Sequence, residues 1–140
     1  MIDKDVINAK FDIIERDLKF CRELGKLNLN EFSYKEQQAA KYTLLEIAEA
    51  CIDIANHIIA SKGFRRAEEY SDLFQILLEN NILPESLSSK LSSMAKMRNV
   101  LVHRYAEVDS KRLLESVKSD VGDAEQFMRH IAKFMEREVG

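Results

Sequence analysis

The sequence predicts an all-α fold, an antiparallel up-and-down bundle of four main helices and a shorter fifth. Three observations carry that prediction. Apolar residues recur at alternating steps of three and four along most of the chain, the period of a helix that buries one face. One proline and four glycines in 140 residues leave those stripes nearly uninterrupted, whereas a many-turned β fold needs frequent breakers. At 46% apolar residues the chain can build one real core, so residues 1–140 read as a single domain; no repeat, low-complexity tract or linker divides them.

Each helix has its own signature. Between 6 and 24, Ile7, Phe11, Ile14, Leu18 and Cys21 form a stripe that Ile13 and Phe20 widen. Asp3 and Asp5 place negative charge at its start, and Gly25 stands where a left-handed residue would end it. Ser33 and Glu36 form a capping-box pattern for the second helix, in which Leu44, Ala48, Cys51, Ala55 and Ile58 lead to Gly63. About 30 residues at 1.5 Å rise reach about 45 Å. A second stripe of Leu45, Ile52 and Ile59 lets that helix serve several neighbours as a spine. A third helix is expected over 66–79 on Tyr70, Leu73, Phe74 and Leu77, closed by Asn80, Asn81 and Pro84. Pro84 opens the fourth, marked by Leu87, Leu91, Met94, Met97 and Leu101. Asp109 caps a fifth over 109–136, with Leu113, Val117, Val121, Ala124, Phe127, Met128, Ile131 and Met135 facing inward and Gly122 as a point of bending.

The formal charge of −3 excludes a protein whose whole surface clamps nucleic acid, so any polyanion site must be local. Cys21 and Cys51 lie within apolar stripes and read as reduced core thiols, which suits a cytoplasmic protein. The N-terminus lacks a basic segment followed by an apolar run, and no window approaches the roughly 18 apolar residues of a membrane span. Secretion and membrane insertion are therefore not expected.

Residues 98–105 concentrate transferable protons and positive charge. Arg98 offers a planar guanidinium fork suited to a phosphoryl group, His103 can exchange a proton near neutral pH, and Tyr105 adds a hydroxyl. Five residues on one helix put Arg98 and His103 about 140° apart around the axis. Either the helix ends near Val102 and the chain swings His103 back, or a second copy completes the site. Asn99 and His103 share a face at four-residue spacing, so Asn99 can orient the imidazole. Lys96 and Arg104 flank the motif as candidate substrate-binding cations. A purely structural set stays open: Arg98 paired with a carboxylate, His103 on the last carbonyls, and Tyr105 packed at the rim.

Elsewhere, Asp53 and His57 have a spacing that can place two ligands on one metal, but two ligands and three histidines in all do not make a helical-bundle metal centre, and none is expected. Lys62, Arg65 and Arg66 either guide a polyanion or complement a helix C-terminus, and His130 lies at the edge of a polar face. No phosphate-binding loop, dinucleotide fingerprint or nucleophilic serine elbow occurs.

The stretch from Met97 through Arg98, Asn99, Val100, Leu101, Val102, His103 and Arg104 to Tyr105 resembles the Arg-x4-His-x-Tyr signature of HepT-like proteins, a branch of the HEPN superfamily of helical nucleic-acid-processing domains. The run from Cys51 to Ile59, including Asp53, Asn56 and His57, resembles that family's second helix. The segment from Tyr70 through Phe74, Leu77 and Leu83 to Val108 and Asp109 is similar too, so the resemblance covers nearly the whole chain.

It implies a HEPN-like bundle acting as a metal-independent, cofactor-free RNA endonuclease toxin, encoded with a cognate minimal nucleotidyltransferase antitoxin. By that resemblance His103 acts as base or acid on a ribose 2′-hydroxyl and leaving oxygen, and Arg98 stabilises charge on the phosphoryl group, giving a 2′,3′-cyclic phosphate and a 5′-hydroxyl. Tyr105 accepts AMP from the partner, which silences the nuclease. Family members are typically homodimers with two motifs facing one cleft, which answers the angular objection. Asp53 becomes a candidate for orienting His103. The rival expectation is a catalytically inactive helical binding partner of the nucleotidyltransferase; a purely structural dimerisation bundle leaves the motif without purpose.

Overall fold

The computed structural model describes residues 1–139, and every regular element among them is helical. The first helix, α1 (Lys4–Leu24), starts on Asp3, whose Oδ1 accepts the Asp5 and Val6 N–H groups at 2.9 and 3.4 Å. His57 Nε2 accepts the Asp3 N–H at 2.9 Å, tying this start to the next helix. Gly25 ends α1 at φ −68°, not in the expected left-handed region. The chain tightens instead through turns from Lys26 to Glu23 and Leu27 to Leu24. A Cβ at Gly25 would lie 3.3 Å from the Cys21 carbonyl oxygen, so crowding is what a side chain would meet there.

A 3₁₀ turn (Leu29–Glu31) leads to α2 (Tyr34–Lys62). The Ser33 cap differs from expectation, because its hydroxyl donates to Glu36 Oε1 at 2.5 Å and the side chain accepts nothing from the backbone. The back-bond of a capping box appears one turn earlier, where the Asn28 N–H donates to Glu31 Oε1 at 3.0 Å. At the far end Gly63 adopts φ +67°, which glycine enters without steric cost. Between these ends α2 packs on all four other helices, as a spine should.

The short helix α3 (Asp72–Glu79) begins six residues later than the apolar period suggests. Arg65 explains the shortening: its guanidinium spans Asp72 at 2.8 and 2.9 Å and Glu79 at 2.8 Å, folding the preceding segment back along the helix. Asp72 also accepts the Glu68 N–H at 3.2 Å, a capping turn and not a helical one. Asn81 at φ 61° closes the segment. Pro84 then precedes α4 (Glu85–His103), and Asp109 caps α5 (Ser110–Val139) by accepting the Arg112 N–H at 2.9 Å.

One contiguous core joins Ile14, Leu44, Ile54, Ile58, Leu77 and Phe127, and Phe74 meets Phe127 edge to face at 5.8 Å between ring centroids. Phe20, expected to widen the α1 stripe, is instead exposed, because only the Ile14, Leu18 and Cys21 side of the helix faces α2 and α5. Among the described residues no helix is long and apolar enough to cross a membrane.

Candidate active site

The site is built on the last turn of α4. That helix continues through His103, and Arg104, at φ −135° and ψ 43°, ends it by donating its N–H to the Val100 carbonyl at 2.7 Å. The chain therefore does not swing His103 back at Val102. It keeps the imidazole on the helix, about 140° round the axis from Arg98.

Arg98 points toward α2. Its Nη2 donates to Glu49 Oε1 at 3.3 Å, its Nη1 to Asn99 Oδ1 at 3.2 Å, and its guanidinium lies 4.9 Å from the centre of the Tyr70 ring. The side chain is 18% exposed, and Nε is buried with no hydrogen-bond partner. Two of the fork's N–H donors are thus used within the chain, and the Nε–H is covered by the fold without a partner. Asn99 gives its side-chain oxygen to Arg98, so its contact in this chain is with the guanidinium; His103 stands exposed at the helix end.

Tyr105 opens a 3₁₀ turn (Tyr105–Glu107) immediately beyond α4 and is 37% exposed. Lys41 Nζ, from α2, lies 4.5 Å from the centre of its ring. Val102 and Tyr70 are exposed too, giving this end an apolar fringe. Lys96 is exposed and lines a small polar cavity of ≈ 270 Å³ with Glu68, Glu69, Asp72 and Ser92. Arg104 presents an exposed side chain at the end of α4.

Asp53 and His57 both look toward α1. Asp53 pairs with Lys10 at 2.9 Å, and His57 holds the Asp3 backbone. Among the described residues no three His, Cys, Asp or Glu side chains form a metal-binding group. Away from the motif, burial raises Asp17 to about 6, with the neighbouring Glu46 carboxylate adding to it, and burial plus Asp123 raises Asp120 to about 7. Burial also pushes the Cys21 thiol up to about 12 and Cys51 upward, so both are poor nucleophiles.

Sequence reasoning missed Glu49 and Lys41, and took Tyr70 for a core residue. The signals were present: Lys41 is in phase with Leu44 and Ala48, and Glu49 falls between Leu45 and Ile52. Charges inside an apolar stripe call for partners, here supplied by α4 and the turn after it.

A helical bundle whose fourth helix and the turn after it deliver Arg98, His103 and Tyr105 at Arg-x4-His-x-Tyr spacing has the architecture of a HEPN domain. The chain belongs to the ribonuclease HepT-like family, whose model matches residues 14–131. It is 31% identical over 125 residues to the mRNA nuclease HepT of Shewanella oneidensis, covering 89% of this chain and 94% of that protein. The tRNA nuclease HepT of Aphanizomenon flos-aquae is 22% identical over 136 residues, 96% of this chain and 92% of its own. A solved structure of the tri-AMPylated Shewanella oneidensis HEPN toxin in complex with MNT antitoxin matches with TM-score 0.84 at 31% identity, covering 92% of this chain and 98% of that chain.

Proposed function

We propose that this chain is a metal-independent RNA endonuclease of a toxin–antitoxin pair, acting as a cytoplasmic homodimer and silenced when a cognate minimal nucleotidyltransferase moves AMP onto Tyr105. One observation carries the reading: a single helix terminus presents an arginine with unused Nη donors, an exposed histidine and an exposed tyrosine, in a family member that matches a tri-AMPylated toxin over nearly its whole length. The two buried, unpaired thiols suit the reducing cytoplasm.

In this reading Arg98 holds the scissile phosphate through the Nη N–H groups that neither Glu49 nor Asn99 uses. His103 removes the ribose 2′-hydroxyl proton. The 2′-oxygen then bonds to phosphorus while the bond to the 5′-oxygen breaks, and that oxygen takes a proton from water, giving a 2′,3′-cyclic phosphate and a 5′-hydroxyl. Asn99 steadies the guanidinium, and Lys96 and Arg104 meet neighbouring phosphates. Asp53 is engaged by Lys10 within this chain.

Because Arg98 and His103 face different sides of α4, the working site pairs Arg98 of one copy with His103 of another. Val102 and Tyr70 offer apolar surface for that contact. For silencing, the Tyr105 hydroxyl oxygen bonds to the α-phosphorus of ATP, the bond to the bridging oxygen breaks, pyrophosphate leaves, and the phenolic proton passes to a base of the transferase. The attached anion then repels RNA and competes for Arg98.

The test is incubation of purified, unmodified protein with single-stranded RNA in EDTA. Cleavage leaving cyclic phosphate ends is expected, and loss of it in His103→Ala and Arg98→Ala chains that still fold. Intact RNA beside a well-folded, unmodified dimer favours the second reading, an inactive helical partner of the transferase. The Glu49 carboxylate, which already answers the Arg98 charge, is the observation on its side.

A further inference from the structure

We propose that Lys41 is a phosphodiester-binding residue of this site, a cation carried by α2 to meet an anion at Tyr105. The proposal rests on the functional reading above and adds to it a group outside the Arg-x4-His-x-Tyr motif.

Lys41 is 7% exposed, an unusual position for a lysine, since desolvating an ammonium is costly unless something answers its charge. Among the described residues no carboxylate forms an ion pair with it. Its contact is the face of Tyr105, 4.5 Å from the ring centre, where the negative face of the ring attracts the cation without neutralising it. A charge held in this way suits a site that receives its anion only in one functional state.

The placement also fits in distance. Lys41 and Glu49, the residue that holds Arg98, are eight residues apart on α2, about 12 Å along the axis. The two cations therefore attend opposite ends of the same helix-terminal surface. A phosphoryl group on the Tyr105 oxygen would sit just past the ring that Lys41 already covers, within reach of a flexible four-carbon stem. An RNA phosphate lying at the hydroxyl edge of Tyr105 would come within reach of the same ammonium. Both ligands are phosphodiesters, and experiment can tell them apart.

The test compares full-length Lys41→Met, which keeps the buried apolar stem, with Lys41→Arg, which keeps the charge; thermal melting confirms that both fold. In the RNA arm a non-cleavable 2′-O-methyl oligonucleotide is titrated by fluorescence anisotropy at several salt concentrations. A loss of about fivefold or more in Lys41→Met, restored in Lys41→Arg, with the log–log salt slope reduced by about 0.7, identifies the RNA backbone as the anion. In the second arm each protein is adenylylated by its nucleotidyltransferase and ATP, and the ³¹P resonance of the Tyr105 phosphodiester is recorded. A resonance displaced in wild type and Lys41→Arg, but at the free aryl phosphodiester position in Lys41→Met, identifies the modified tyrosine. Unchanged affinity, salt slope and resonance in Lys41→Met would show a packing lysine and overturn the proposal. Wild type that neither binds RNA nor takes up AMP defeats the underlying reading, and this proposal with it.

Discussion

Glu49 on α2 holds Arg98 on α4, with 3.3 Å between Oε1 and Nη2. The carboxylate is 46% exposed and the guanidinium largely covered, so the pair is a surface latch on a half-buried cation. In the proposed mechanism an RNA phosphate approaching Arg98 would share the guanidinium with this carboxylate.

Replacing Glu49 by Gln removes the competing charge and keeps the shape. A partly exposed ion pair contributes at most about 1 kcal/mol, so the KM for RNA should fall by no more than about fivefold, with kcat nearly unchanged. Steady-state cleavage of a fluorogenic RNA measures both. A large loss of kcat would show that Glu49 chiefly positions Arg98.

Mixing chains tests whether the site is shared. Arg98→Ala and His103→Ala dimers should each be inactive. After unfolding together and refolding, half the dimers are mixed and each regains one intact site, about a quarter of wild-type activity. No recovery from the mixture would place both groups of one site on the same chain.

Stability should fall as pH rises. Asp120 binds its proton up to about 7 in the folded chain, whereas an unfolded aspartate releases it near 4. Between those values the folded state carries the extra proton, so the unfolding free energy drops by at most about 1.4 kcal/mol per pH unit. Asp17 acts in the same direction up to about 6. Asp120→Asn should flatten the decline between pH 5 and 7 and be relatively most favourable at pH 8. Urea melts at pH 5 and 8 decide it, and equal slopes in both proteins would refute the assignment.

Phe127 is fully buried edge to face against Phe74. Phe127→Ala should cost about 3–5 kcal/mol through lost burial and the cavity left behind. Chemical denaturation reads that loss, and a cost below about 1 kcal/mol would mean this interior is not packed as described.

Apolar period alone disclosed all five helices, because a half-buried helix writes its buried face into the sequence. The start of α3 was hidden: Ala67 and Tyr70 continue the period, and the outcome turned on Arg65 gripping Asp72 and Glu79, a tertiary choice that local spacing does not encode. The Ser33 and Gly25 ends misled for a related reason, since several cap geometries share the same residues. Arg98, His103 and Tyr105 were legible as a motif. Glu49 and Lys41 showed only as charges within an apolar stripe, because what they do depends on contacts of α2 with α4 and with the turn after it.

Since α2 packs on every other helix and also brings Glu49 and Lys41 to the motif, durability and chemistry share one rod. A directed-evolution library aimed at the interior of that rod would tune both properties together. Engineers seeking a hardier scaffold with unaltered activity have freer ground on the outer face of α5.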